Sequence, residues 1–484
     1  MAARRGNDQL FRVLDTALVP PSDPPPPPCS LPLTFFDVKW LHLPPVERLF
    51  FYRLAPDADV PAIVSALRVS LSHALRAFHP LAGHVRRGPD SDRFELLYQP
   101  GDAVPFTVAE YDFDIDDLAA DAPVEVPAIA ALVPQLPKGR KVLALQATLL
   151  LARRGLAVGV TLHHSACDGS GSTHFLHTWA AACAGAAERP PPPVIDRAGL
   201  IPDPRGLYDI YLNNMPPFLT RRADDFEFAT KMPDGSVEDN DKKKLLAAFT
   251  LSQELLQSIK SAVAGEAARR GLPSPRCSSL LAAYSFVWSC YCRAMTTTPA
   301  VGTKKRKCCY FLFSVDQRAR MKPAVPDKYL GNCLCPAIAT APQEEVAAAG
   351  AGGLFAACAA VAAAVEEEVG EGAQDRWDGC VERVKEAVAN GTLSVAGSPR
   401  FRVYGVDFGF GPPAKVDIVS VAKTGAISVA ESRGGGGGGG MEVGISLPAS
   451  AMQRFQECFA DGVLLLRGSC NGQSTQRGSK ITAL

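Results

Sequence analysis

The segment His163-His164-Ser165-Ala166-Cys167-Asp168-Gly169 holds the side chains that are best suited to chemistry. A neutral imidazole, with an ordinary pKa of about 6.5, can accept a proton from a hydroxyl group. His164 follows an apolar run that predicts a strand, and Asp168-Gly169 allows a sharp bend into the next element. The pattern predicts a histidine base at a strand–turn–helix junction, although so short a pattern is also typical of surface histidines beside an Asp-Gly turn.

Three predicted elements hold this segment. Residues 142–151 and Gly155–Leu162 are apolar and β-rich, which predicts a hairpin of two buried strands. Residues 171–184 have helical spacing, so a helix follows the turn. Upstream, residues 60–78 predict an amphipathic helix that Pro80 ends, and residues 33–40 predict a strand leading into a turn.

The second half of the chain predicts a further set of alternating elements. Helices are expected at 253–269, 278–293, 353–368, 377–390 and 449–463, and strands at 245–251, 309–315, 401–408, 415–421, 426–432 and 442–447. The proline-rich stretch 189–203 cannot form regular structure and predicts a linker. We therefore expect an N-terminal domain at 1–188, a crossover at 189–225 and a C-terminal domain at 226–484.

Composition excludes several classes of protein. The chain has 484 residues, enough for two or three domains, with 47% hydrophobic and 21% charged residues, which excludes general disorder. Lys plus Arg and Asp plus Glu both number 50, which argues against a nucleic-acid or membrane-surface binder. No secretory signal is recognisable, and the apolar run 354–365 is shorter than the roughly 17–25 residues of a membrane span. We expect a cytosolic protein.

The cysteines and the low-complexity runs predict no cofactor site. The 14 cysteines include no C-x-x-C pair, so we expect reduced thiols and no metal. The glycine run 434–440 lies between two predicted strands and is interpreted as a hairpin loop rather than a dinucleotide site. The basic runs 242–244 and 304–307 are interpreted as solvated loops. His163, His174 and His177 are expected to have structural roles.

Three motifs, in order along the chain, resemble those of the plant BAHD acyltransferases, enzymes that move an acyl group from coenzyme A to an alcohol or amine. His164–Gly169 resembles their H-x-x-x-D-G motif, and residues 407–411 (DFGFG) resemble their D-F-G-W-G motif. Residues 329–333 (YLGNC) are similar to the Y-F-G-N-C signature of the branch that acts on anthocyanins and related phenolic glycosides. Similar landmarks lie at 33–40, 78–83 and 315–318. The family implies an α/β fold with two similar-sized mixed-sheet domains, like chloramphenicol acetyltransferase, and a solvent channel between them.

The resemblance implies roles for the motif residues. His164 would be the general base that deprotonates the acceptor hydroxyl as its oxygen attacks the thioester carbonyl. The tetrahedral intermediate would then expel the coenzyme A thiolate, and general-base catalysis of this kind contributes about 10²–10⁴-fold. Asp168 would be structural and paired with Arg318; the alternative, in which Asp168 orients the His164 ring, stays open. Asp407 would also be structural, and Gly169, Gly409 and Gly411 would permit tight turns.

The substrates implied by the resemblance are an acyl-CoA donor and a glycosylated phenolic acceptor, with no permanently bound cofactor and a monomeric protein. We expect Lys260, Ser278 and Ser279 to meet the phosphates of coenzyme A. Malonyl-CoA is slightly favoured over hydroxycinnamoyl-CoA, yet a malonyl carboxylate needs a cation and residues 170–173 (SGST) supply none. Arg400 and Arg402 could supply it. The alternatives are a condensation-type domain with the same HHxxxDG motif, and an inactive ligand-binding relative.

Overall fold

A computed structural model describes residues 11–89, 91, 93–152, 155–197, 199–215, 227–229, 244–296, 307–433 and 439–477, with side chains to residue 467 in the last helix. The predictions for residues 242–243, 304–306 and 434–438, and for the part of the 189–225 crossover at 216–225, lie outside the described residues. The described strands are β1 (Phe11–Val19), β2 (Cys29–Pro32), β3 (Val46–Arg53), β4 (His84–Arg87), β5 (Phe94–Tyr98), β6 (Val104–Tyr111), β7 (Val124–Glu125), β8 (Leu143–Leu150), β9 (Gly155–Leu162), β10 (Lys244–Leu251), β11 (Cys308–Asp316), β12 (Leu334–Pro342), β13 (Leu393–Ala396), β14 (Lys415–Ile418), β15 (Ala426–Glu431) and β16 (Met441–Pro448).

Helices pack on these strands and connect them. They are α1 (Phe35–Val38), α2 (Val60–Ala77), α3 (Ile115–Ala119), α4 (Val126–Ala130), α5 (Gly169–Cys183), α6 (Leu207–Asn213), α7 (Gln253–Arg270), α8 (Ser279–Thr296), α9 (Gln343–Val346), α10 (Ala351–Val369), α11 (Cys380–Ala389), α12 (Val421–Thr424) and α13 (Ala449–Arg477). None of the described helices is long and apolar enough to cross a membrane.

Two large mixed sheets define the architecture. The first has the order β1-β6-β8-β9-β3-β14, and the second has the order β12-β11-β13-β15-β16-β10-β7. Strands β2, β5 and β4 form a small third sheet. Strand β9 is buried along its whole length, which explains why its sequence is a continuous apolar run rather than an alternating one. This α/β arrangement confirms the fold class expected from the sequence.

The two halves of the chain exchange strands. Strand β14 follows most of the second sheet in sequence, yet it pairs with β3 in the first sheet, with Val416 opposite Phe50. In return, β7 from the first half pairs with β10 in the second sheet. The backbone hydrogen bonds of both sheets therefore connect the two halves and hold them in a defined relative position. The domain limits at 188 and 226 stay a prediction.

Each large sheet has its own hydrophobic core. Helices α2 and α5 pack on the first sheet, where the Trp179 indole donates to Leu67 O at 3.0 Å. Helices α7, α8, α10 and α13 enclose the core of the second sheet. Asp59 caps the start of α2, and the helix stops one residue before Phe78, ahead of Pro80. The signals read from the sequence therefore place this helix to within one residue.

Two strand predictions were wrong. Residues 33–40 contain the short helix α1, because Thr34 donates its hydroxyl and its backbone N–H to the Asp37 carboxylate and so caps a helical turn. Residues 401–408 form no strand, because 3-10 turns at Pro399–Phe401 and Val403–Gly405 take up the first part of this stretch. Arg402 lies between these turns in the left-handed region, at φ 52°, which interrupts any extended run.

Candidate active site

The His163–Gly169 segment forms a turn between the central strand β9 and helix α5. The backbone N–H of His163 donates to Val142 O at 2.8 Å, which continues the pairing of β8 and β9, and Ala166 N–H then donates to His163 O at 3.0 Å to close the turn. Asp168 caps α5, since its Oδ1 accepts from the backbone N–H groups of Ser170 and Gly171 at 3.1 Å each. The predicted strand–turn–helix junction is present in the structure.

The His164 ring stacks on the indole of Trp40. The ring centroids are 3.7 Å apart and the planes differ by 16°. Nδ1 is buried and has no hydrogen-bond partner of good geometry among the described residues, while the side chain as a whole is partly exposed. Burial lowers the pKa of His164 to about 4, and the charge of Lys39 acts in the same direction. The imidazole is therefore neutral at pH 7 and available as a base.

Asp37 organises the backbone around His164. Its buried carboxylate accepts from Arg197 at 3.1 Å and from the backbone N–H and side-chain amide of Asn332 at 2.9 and 2.8 Å. The same Asn332 amide donates to His164 O at 2.8 Å, and Arg197 donates to Ala166 O at 2.5 Å. The network joins four separate parts of the chain, and it holds the backbone that carries the His164 ring.

Asp168 and Arg318 form a second buried network beside the first. Arg318 Nη2 lies 2.9 Å from Asp168 Oδ2, and both side chains are almost fully buried. Cys333 N–H also donates to Asp168 Oδ2 at 3.2 Å, and Asp316 lies 3.3 Å from Arg318 Nη1. In every hydrogen bond that the structure records for it, the Asp168 carboxylate accepts from Arg318 or from a backbone N–H group. None of these hydrogen bonds involves the His164 ring. This geometry favours a structural role.

The loop that carries Asp407 is held by its own side chain. Asp407 Oδ1 accepts from the backbone N–H groups of Gly409 and Gly411 at 2.8 and 2.9 Å. Gly409 has φ +100°, and a Cβ there would lie 3.1 Å from Ala184 Cα at the end of α5. Phe408 is buried against Trp179, with ring centroids 4.6 Å apart. The motif thus docks the loop on α5.

Gly169 is needed at the start of α5 for a different reason. Its φ is ordinary, but a Cβ at this position would lie 2.5 Å from the Phe401 ring. The ring therefore occupies the space that any side chain at 169 would take. This contact packs the turn beside His164 against the loop that leads to Asp407.

The residues predicted to meet coenzyme A phosphates lie in the second half of the chain. Lys260 on α7 donates to Ser279 Oγ at 2.8 Å, at the start of α8. Ser278 Oγ accepts from the backbone N–H of Leu281 at 3.3 Å. The structure brings Lys260 and Ser279 together, and Ser278 serves as a helix cap. Arg400 and Arg402 lie elsewhere, on a groove along α5.

The other histidines of the segment pack against the protein. His163 is buried and stacks on Phe228 with a centroid distance of 3.4 Å, and its Nδ1 lies 2.7 Å from Ser165 Oγ. Burial lowers the pKa of His163 to about 3. His174 Nε2 lies 2.8 Å from Pro191 O, and His177 Nε2 lies 3.1 Å from Phe401 O. No group of side chains in the described regions has the arrangement of a metal site.

Sequence reasoning assigned no role to Asp37, Trp40, Arg197 or Asn332. Asp37 lay in a stretch recognised only as a family landmark, and Asn332 lay in the motif 329–333, which indicated the acceptor branch but no role for this residue. A charged residue inside an apolar run, as Asp37 is in 33–40, was the available signal, because buried charges need buried partners. Nothing in the local sequence of Arg197 indicates that it pairs with a carboxylate 160 positions away.

Two mixed sheets that exchange strands thus place the His164 turn beside the segment that leads into β12. Among solved structures, the crystal structure of vinorine synthase has the same fold, with a TM-score of 0.65, 19% sequence identity, and coverage of 92% of this chain and 96% of that one. A model of the family described as "Transferase family" matches residues 12–461. The chain belongs to this family, the BAHD acyltransferases.

Curated relatives refine the comparison. The chain is 33% identical to phenolic glucoside malonyltransferase 1 of Arabidopsis thaliana, over 92% of this chain and 96% of the relative. It is 31% identical to the malonyl-CoA:anthocyanidin 5-O-glucoside-6''-O-malonyltransferase of the same plant, with coverage of 90% and 94%. A coumaroyl-CoA:anthocyanidin 3-O-glucoside-6''-O-coumaroyltransferase from Arabidopsis thaliana is 27% identical, with coverage of 93% and 97%.

Proposed function

We propose that this enzyme transfers an acyl group from an acyl-CoA thioester to a sugar hydroxyl of a flavonoid, anthocyanin or simple phenolic glucoside. Malonyl-CoA is the favoured donor and a hydroxycinnamoyl-CoA is the next. The activities of the similar malonyltransferases and of the similar coumaroyltransferase support both the acceptor class and this order of donors. The observation that carries the proposal is the neutral, partly exposed His164 ring on a backbone held by two buried networks.

In the proposed mechanism, His164 takes the proton from the acceptor hydroxyl while the hydroxyl oxygen attacks the thioester carbonyl. The bond to sulfur then breaks, the coenzyme A thiolate leaves, and the imidazolium returns the proton to it. The step forms one ester and consumes one thioester, so it needs no further reactant. Stacking on Trp40 limits rotation of the ring, and the Asp37–Asn332 contacts hold its backbone, so the base is positioned before substrate arrives.

The donor question turns on how a malonyl carboxylate would be neutralised. Residues 170–173 carry no cation, whereas Arg400 and Arg402 lie on the groove that also includes Ser170 and Thr173. A hydroxycinnamoyl group would need only an apolar slot. The two arginines on this groove make malonyl transfer compatible with the sequence. The similarity to malonyltransferases supports malonyl-CoA as the donor.

The test is the release of free coenzyme A thiol from malonyl-CoA and from coumaroyl-CoA, each with a panel of phenolic and flavonoid glucosides. We expect glucoside-dependent release with malonyl-CoA, reduced at least about 10²-fold in His164→Ala. His163→Ala is a poor control because that ring is packed in the core, so His73→Ala, on the outer part of α2, serves instead. Release that survives His164→Ala would refute the base, and thermal stabilisation by coenzyme A without any release would favour a binding protein.

A further inference from the structure

A small cavity lies between the two large sheets. The first sheet lines it with Arg48 of β3 and with residues of β14, and the second sheet lines it with residues of β10, β15 and β16. Its volume is about 20 Å³. A cavity needs about 10–15 Å³ to hold one water molecule, so this one admits a group of a few atoms but not an aromatic ring.

Arg48 is a buried cation at this cavity that has no counter-ion. Its side chain is 5% exposed, and Nη1 donates to Thr173 Oγ1 at 3.2 Å. Among the described residues, neither Nε nor Nη2 donates a hydrogen bond and the guanidinium forms no ion pair, although the charge of Glu431 acts on it. Burial lowers the pKa of Arg48 to about 10, so the group is charged at pH 7. A buried charge is costly unless it is paired, and this one therefore favours an anionic ligand.

The carboxylates that line the cavity have cationic partners of their own. Asp417 lies 3.3 Å from Lys415 Nζ, and Glu442 accepts from Arg433 Nε at 2.7 Å. Both carboxylates are thus neutralised by side chains other than Arg48. The charge of the Arg48 guanidinium is left for a ligand.

The cavity lies beside the first turn of helix α5. Thr173 Oγ1, which accepts from Arg48, donates to Gly169 O at 2.7 Å. Phe401 also lines the cavity, and its ring is the group that a Cβ at Gly169 would meet at 2.5 Å. Gly169 begins α5, directly after the turn that carries His164. Two successive hydrogen bonds therefore connect Arg48 to this turn.

We infer that Arg48 binds the free carboxylate of the acyl group carried by the donor, an inference that rests on the proposed function. The carboxylate of a malonyl group is two bonds from the thioester carbonyl, about 2.5 Å, so its cation has to lie close to the turn that carries the base. Arg400 and Arg402 are exposed, and water weakens their attraction for a carboxylate. A small cavity with one buried cation selects a short acyl group that ends in a carboxylate. A hydroxycinnamoyl group is larger and neutral.

The test is calorimetric titration of the full chain with malonyl-CoA and with acetoacetyl-CoA, in which a neutral methyl ketone replaces the carboxylate. A hydrogen bond to a charged group is strong, so we expect Arg48→Met to bind malonyl-CoA about 10- to 100-fold more weakly. Its affinity for acetoacetyl-CoA should stay unchanged. Arg48→Lys keeps the charge and should have an intermediate affinity for malonyl-CoA. The matched control is Arg53→Met, on the same strand, because Arg53 is 57% exposed and paired with Asp116. This control should alter neither affinity.

The same titrations contain the results that would overturn the inference. An equal loss of affinity for both thioesters in Arg48→Met would show that Arg48 only supports the fold. A selective loss of malonyl-CoA binding in Arg400→Gln/Arg402→Gln, with none in Arg48→Met, would place the carboxylate on the groove along α5.

Two further readouts separate this inference from the proposed function and from folding. If wild type binds both thioesters equally well, the inference fails, whereas glucoside-dependent thiol release from coumaroyl-CoA would still support acyl transfer. Arg48→Met leaves no carboxylate without its partner, so we expect its melting temperature to be no lower than that of wild type. If this variant does not fold, Arg48→Lys provides the comparison of the two thioesters, and an unchanged affinity for malonyl-CoA in it counts against the inference.

Discussion

Removal of Asp168 is the sharpest test of the buried network behind the histidine. In Asp168→Ala, the Arg318 guanidinium would stay buried without its main carboxylate partner. The guanidinium would keep its contact with Asp316 at 3.3 Å, although the Asp316 side chain is 50% exposed. It would also keep hydrogen bonds to the carbonyl oxygens of Tyr329 and Gly331 at 3.4 and 3.5 Å. Helix α5 would lose its cap at the same time.

These contacts set the size of the effect. Breaking a buried ion pair by removing one partner costs about 3–5 kcal/mol, and the remaining contacts of Arg318 place this case near 3 kcal/mol. Loss of the helix cap adds about 1 kcal/mol. We therefore expect Asp168→Ala to lower the free energy of unfolding by about 4 kcal/mol. The double variant Asp168→Ala/Arg318→Met should lose less than the sum of its two single variants, because no charge is then left unpaired.

The assay is urea-induced unfolding at pH 7, with the slope of the transition compared between variants. Asp116→Ala is the matched control. Its partner Arg53 is 57% exposed and Asp116 is 45% exposed, so loss of this pair should cost less than about 1 kcal/mol. A loss below about 1 kcal/mol for Asp168→Ala, or strict additivity in the double variant, would refute the reasoning.

Three further predictions concern the base. The neutral form of His164 is the reactive one, and burial lowers the pKa of this residue to about 4. We therefore expect kcat/KM to fall only as the pH drops through about 4. A fall of kcat/KM that begins near pH 6.5 would contradict this. Trp40→Ala exposes the stacked ring to water and should move this fall of kcat/KM to higher pH, whereas Trp40→Phe should move it less; identical pH profiles would count against the stacking. Asn332→Ala removes the side-chain amide that donates to Asp37 and to His164 O. We expect the free energy of unfolding to fall by about 1–3 kcal/mol, and kcat to fall while the KM for the donor stays unchanged. An unaltered kcat would exclude a positioning role for Asn332.

The strand exchange explains why the site is at the junction of the two halves. His164 follows β9 in the first sheet, whereas Asn332 and Arg318 come from the segments between β11 and β12 of the second. Since β14 and β7 each belong to the sheet of the other half, the halves cannot rotate freely without breaking backbone hydrogen bonds. The networks around His164 therefore depend on the pairing of both sheets.

The sequence by itself determined the local elements and the family. Helix α2 follows from apolar periodicity and the β8–β9 hairpin from two continuous apolar runs, because each signal is contained within its own segment. The motifs at 164–169, 329–333 and 407–411 carried the resemblance that the family comparison confirms. His164 was identified as the candidate base from the same motif, and this assignment stays a prediction.

Only the tertiary structure decided what surrounds the base. The Asp37–Arg197 contact spans 160 positions and the Asn332–His164 contact spans 168, and no local pattern records which partner a buried charge will find. The stacking of Trp40 on His164 depends in the same way on how α1 packs against the turn after β9. Arg402 was placed in a predicted strand, because apolar alternation does not reveal that contacts with α5 impose a left-handed backbone there. Periodicity reports burial along one element, whereas hydrogen-bond partners and backbone strain are settled only when the elements pack together.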